Sequence, residues 1–257
     1  MLGHRGFRDV LAVLGVVWWF IWLVPPLGSW ARQYEYVQTL QFESFAFVAP
    51  VLFVAGGPWR RLGVRRWPVW SRSTPSSVAD PDGSRDPVAT GVNHGRSIVA
   101  AGIFLAIAVL WRVSPVVDAV VRHPWLTVVE FVTLGVSGVA LFRDLIESPP
   151  LTPRATRPYR IGISAVVMWV VWIMAYMNGM SRSSWYHAFT HVPGHGPSLA
   201  ADQQLSVSSI WLVSAAVFLP IIFWNLVQWL QSEEDPDAEL YRLVRRERAR
   251  GFFGTKN

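Results

Sequence analysis

Six stretches of this sequence, at about 9–27, 33–56, 97–114, 124–146, 161–180 and 207–231, each approach the roughly 20 apolar residues that a helix needs to cross a bilayer. A spanning segment must satisfy its own backbone hydrogen bonds. Continuous apolar runs do so as helices, whereas barrel strands would alternate. The expected fold is therefore all-α: a polytopic transmembrane helix bundle of about six spans over residues 1–232, followed by a basic amphipathic tail at 233–257. Composition agrees, because 52% apolar against 16% charged residues leaves too little polar surface for a water-soluble globule. The 15 Trp suit the membrane–water boundary.

Charge placement gives an orientation. Of the 23 Lys and Arg, 19 fall before the first span, between the second and third, between the fourth and fifth, and after the sixth. Only Arg32, Arg112, Arg122 and Arg182 fall on the other side. Under the positive-inside rule both termini are cytoplasmic, and the basic excess is topological, so no nucleic-acid partner is implied. A first span that follows His4, Arg5 and Arg8 and carries Trp18, Trp19 and Trp22 is expected to be retained, not cleaved as a leader. Lys256 is the only Lys among these basic residues, a composition typical of GC-rich bacteria, so the bacterial cytoplasmic (inner) membrane is the expected location. The segment 73–91, rich in Pro, Ser, Asp and Gly, is expected to form a flexible cytoplasmic loop. Asp235-Pro236 is expected to start a short helix lying on the inner leaflet.

Polar groups inside a span are costly in hydrocarbon and should turn inward. At helical spacing Tyr34, Gln38, Gln41 and Ser44 share one face of the second span, with Glu43 round the side. Thr127, Glu130, Thr133 and Ser137 share one face of the fourth. Two readings stand: the stripes face each other and build a polar site, or their Gln, Ser and Thr hydrogen-bond neighbouring helices as packing glue. Glu43 and Glu130 constrain more, since a carboxyl at that depth must be protonated, paired or wet.

With no Cys, only His, Met and carboxylates remain as metal ligands. His187, His191 and His195 recur every fourth residue between the fifth and sixth spans, a spacing that stacks imidazoles on one face of a helix and would suit copper or zinc. Pro193 and Gly194 interrupt that helix, so a solvated polar loop is the competing reading. No phosphate loop, nucleophile–base pair or acidic relay across the bilayer is present, so enzymatic and pump functions have no support and no resident cofactor beyond copper is suggested.

Three blocks carry a family likeness: QTLQFESFAFVAPVLFVAGGPWRRL (38–62), HPWLTVVEFVTLGVSGVALF (123–142), and SSWYHAF followed by AADQQLSVSSIW (183–189 and 200–211). In these the chain resembles the CtaG-type cytochrome c oxidase assembly proteins of bacteria, over roughly 33–235. Gln41, Ala49, Pro50, Gly57, Pro58, Glu130, Asp202, Gln203 and Gln204 match family positions. Gln38 and Phe42, and Thr127 and Phe131, stand where the family pattern leads one to expect His. The resemblance implies a non-enzymatic multi-pass assembly factor for a copper-containing terminal oxidase, with lipid and an oxidase subunit as partners. Loss of the His leaves an alternative, a metal-free structural or accessory subunit of a larger respiratory membrane complex.

Overall fold

A computed structural model of the chain describes residues 4–63, 94–151, 153–181, 185–189 and 196–233. The expected loop at 73–91 and the basic tail beyond residue 233 lie outside the described residues. Within them the protein is helical and has no strand: α1 (His4–Ile21), α2 (Leu27–Trp30), α3 (Glu35–Glu43), a π-helical turn (Ser44–Val48), α4 (Ala49–Gly56), α5 (His94–Arg112), α6 (Ser114–Arg122), α7 (Trp125–Leu145), α8 (Arg157–Gly179) and α9 (Leu199–Glu233). Five helical segments are long and apolar enough to cross a membrane: Glu35–Gly56, His94–Arg112, Trp125–Leu145, Arg157–Gly179 and Leu199–Ser232. A further long helix, α1, includes Arg8 and Asp9 near its start and packs along α4. The expected spans fall on these helices, but the sequence reading misses α6, where Pro115 enters a short helix whose Val117, Asp118 and Val120 are buried.

Small residues let α1 and α4 approach closely. A Cβ on Gly56 would overlap the backbone of Ala12, and one on Gly15 would fall 2.7 Å from that of Phe53. In lipid such close backbone contact replaces the hydrophobic drive that holds soluble helices together. The second span is continuous from Glu35 to Gly56 but widens into the π-turn before Pro50. Pro50 has no N–H to give the carbonyl of Ala46, one turn back, and this locally rearranges the ladder. That carbonyl and the Pro50 ring lie against Gly138 of α7. Around the turn, Phe42, Phe45, Phe47, Phe104, Phe142 and Phe218 form a buried aromatic core.

Contacts at the two ends fix the path of the chain. At one end Arg61 pairs with Asp9, Trp59 donates to Ser148, Ser97 donates to Asp144, and Arg157 reaches the carbonyl of Gln228. The starts of α1, α5 and α8 and the ends of α4, α7 and α9 therefore lie together. This end holds Arg8, Arg61, Arg143, Arg157 and Arg160, and the positive-inside rule assigns it to the cytoplasm. The far end holds the start of α3, the junction of α5 and α6, and the junctions beside α8 and α9.

Candidate functional site

Arg112 is the last residue of α5, where unpaired carbonyls make a helix end favourable for a cation. It is 7% exposed and turns into the bundle. Its guanidinium lies 5.4 Å from the centre of the Phe42 ring and 5.2 Å from that of Tyr186, and the Tyr186 hydroxyl donates to the Arg112 carbonyl at 3.1 Å. Arg112 Nη1 donates to Gln38 Oε1 at 2.8 Å, and Gln38 Nε2 donates to Glu130 Oε1 at 3.4 Å. This chain joins α5, α3 and α7. Arg112 also lies within electrostatic reach of Glu35 and Glu43.

The surrounding carboxylates are held by neighbouring helices. Asn178 of α8 donates to Glu35 Oε1 at 2.9 Å, and Ser209 of α9 donates to Glu43 Oε1 at 3.1 Å. Thr39 and Ser206 share a 2.7 Å hydrogen bond in the same layer. Arg112 Nη2, Glu43 Oε2 and Glu130 Oε2 are buried without a hydrogen-bond partner among the described residues. Buried polar atoms of this kind are normally met by ordered water or by a ligand. Beside the network, Val109, Arg112, Met174, Met177, Trp185 and Tyr186 contribute to the lining of a cavity of about 320 Å³. Burial raises the Tyr186 phenol above its ordinary range, opposed by the charge of Arg112, so Tyr186 acts as a neutral hydrogen-bond donor.

The two polar stripes meet at one point, Gln38 with Glu130. Elsewhere they separate. Gln41 donates to the Trp22 carbonyl at 2.8 Å, Ser44 accepts from Trp18 at 3.1 Å, and Thr133 accepts from Trp111 at 2.9 Å. Ser137 donates to its own helix, and Thr127 is half-buried a turn before Glu130. Contacts to neighbouring elements thus account for Gln41, Ser44 and Thr133, and the network accounts for Gln38, Glu43 and Glu130. Sequence reasoning misses the inward role of Arg112, which reads only as a basic residue near a span end, and also Glu35 and Asn178, which sit at helix ends.

His187 is exposed, with Nδ1 3.8 Å from an oxygen of Asp118. The other oxygen of Asp118 accepts the backbone N–H groups of His187 and Ala188 at 3.0 and 2.9 Å, anchoring this loop to α6. His191 and His195 lie outside the described residues. Among the described residues no three His, Asp or Glu are grouped so as to hold a metal.

Residues 4–232 match the family model described as cytochrome c oxidase caa3 assembly factor. The chain belongs to that family. No curated protein and no solved structure matches it. The family match begins at residue 4, within α1, and so takes in a first helix that the sequence blocks leave out.

In this assembly-factor family member, Asp202, Gln203 and Gly57 have identifiable structural work. Asp202 accepts the N–H groups of Glu35 at 2.9 Å and Tyr36 at 2.8 Å, capping α3 from α9. Gln203 donates to the carbonyl of Asn178 at 2.6 Å, at the end of α8. Gln204, by contrast, is exposed. Gly57 closes α4 in the left-handed conformation, φ 61°, and a Cβ there would run into the Arg8 guanidinium and press on the Ser148 hydroxyl. Phe42 and Phe131 are aromatic packing residues: Phe42 lies beneath Arg112, and Phe131 stands edge-on to Phe45 at 5.3 Å.

Proposed function

We propose that this protein is a non-enzymatic biogenesis factor of the bacterial cytoplasmic membrane that engages a subunit of a copper-containing terminal oxidase during its maturation. The observation that carries this reading is the family match across nearly the whole described bundle. Supporting it is a buried polar network at the far end of the spans, where the positive-inside rule puts the outer face. The arrangement suits holding and presenting more than chemistry, because no nucleophile–base pair is assembled around Arg112 among the described residues. A permanent structural subunit is the second reading, favoured by the aromatic packing of Phe42 and Phe131 at positions where the family pattern leads one to expect His.

Purification of the tagged protein from its native membrane in mild detergent separates the two. Substoichiometric oxidase subunits, enriched when oxidase maturation is blocked, support the assembly role. A fixed-ratio complex independent of oxidase maturation overturns it in favour of a structural subunit.

A further inference from the structure

Apart from Met1, the Met residues of this chain all lie on one helix and its cap, and three of them, Met174, Met177 and Met180, occupy the last seven positions of that stretch. Met180 is still in helical register, its N–H donating to the carbonyl of Tyr176 at 3.0 Å. A three-residue step turns about 60° short of a full turn and rises about 4.5 Å, so the three side chains form one oblique row at the far end of the bundle. Met174 is half-buried and, with Met177, lines the cavity beside Tyr186 and Trp185. Met177 and Met180 are 55% and 65% exposed.

Long, flexible thioethers spaced about one helical turn apart can converge on one ion. Thioether sulfur is a soft neutral donor that selects Cu(I) over the hard cations and over Zn(II). It is also the only sulfur this chain possesses, since there is no Cys, and unlike a thiol it forms no disulfide on an oxidising face. The Arg112 guanidinium beside this cavity turns into the bundle, onto Gln38 and the faces of Phe42 and Tyr186.

We propose that Met174, Met177 and Met180 form a surface-accessible binding site for Cu(I) at the outer end of α8. Its biological use rests on the assembly reading above, but its existence does not. Binding is by coordination alone, with no change in the oxidation state of the metal.

The test uses the full-length protein in detergent with methyl-labelled methionine, titrated with Ag(I) as a redox-inert stand-in and with Cu(I) against a chromogenic chelator under reducing conditions. One equivalent should shift the methyl signals of Met174, Met177 and Met180 and leave that of Met168, buried at 6% exposure, in place. Met174→Leu/Met177→Leu/Met180→Leu should weaken binding at least tenfold, whereas Met168→Leu and His187→Ala should not. Should the triple variant fold poorly, exposed Met180→Leu alone should weaken binding severalfold. Unshifted methyls, or affinity unchanged in Met180→Leu and Met177→Leu, overturns the site. Absent metal binding with oxidase subunits still co-purifying removes the site and keeps the assembly reading; binding without those subunits does the reverse.

Discussion

The carboxylate of Asp202 caps the helix that begins at Glu35, although 167 positions separate them. Tyr34 occupies the N-cap position of α3 and makes no side-chain cap bond, so the first two N–H groups of that helix are satisfied from α9 instead. A cap supplied across the bundle fixes the height of α3 against α9 and delivers Gln38, one turn further on, to Arg112.

Asp202→Ala should therefore destabilise the protein by about 1–2 kcal/mol, the usual worth of a cap. Asp202→Asn, which keeps one acceptor oxygen, should lose less. Thermal unfolding in detergent followed by Trp fluorescence reads the order directly. Equal losses for both variants would mean that the acceptor oxygen kept by Asn contributes nothing.

Glycine packing gives a sharper contrast. A Cβ on Gly138 would stand 2.8 Å from the Ala46 carbonyl and 2.9 Å from the Pro50 ring, both backbone-fixed, whereas one on Gly102 would meet nothing within 4 Å. Gly138→Ala is expected to cost about 1–3 kcal/mol, the range for overpacking, and Gly102→Ala to be neutral or slightly stabilising through helix propensity. Comparable melting temperatures for the two variants would show that α7 does not rest on the π-turn.

Arg112 is legible in the sequence only as a basic residue near a span end, because nothing in a linear pattern says whether such a side chain turns outward to the interface or inward. The spans are legible because apolar length is a one-dimensional property, and Gln38 and Glu130 because helical spacing puts each on an inward face. That the two touch, while Gln41 turns to Trp22 and Ser44 to Trp18, depends on helix rotation, which the sequence does not encode locally. Asp202 and Gln203 stand out as part of an unusual string, but their capping role needs the partner helices.

Removing Arg112 should expose the coupling within the network. Arg112→Leu takes away the donor to Gln38 and the cation within reach of Glu35, Glu43 and Glu130, and breaking a buried charged group from its partners typically costs about 3–5 kcal/mol. Glu130→Gln in the Arg112→Leu background should recover part of that loss, since an amide needs no counter-charge. A double-variant cycle by unfolding in mixed micelles checks this, and strictly additive losses would mean that Arg112 and Glu130 act independently.

The path of the chain makes a separate, cheaper prediction about sidedness. Trp59 with Ser148, Ser97 with Asp144 and Arg157 with Gln228 bring the second, third, fourth, fifth and sixth spans to one end, and Arg61 with Asp9 ties the first helix to it. Reporters that are active only in the cytoplasm should work when inserted in segment 73–91 or fused at the C-terminus. Reporters active only outside should work when inserted within 190–195, just after the loop that Asp118 anchors. A cytoplasmic signal at 73–91 and outside signals at both 190–195 and the C-terminus would require that α9 fail to cross. The Asp202 cap on Glu35 and the Arg157 bond to Gln228 could not then both form, because they lie at opposite ends of the same helix.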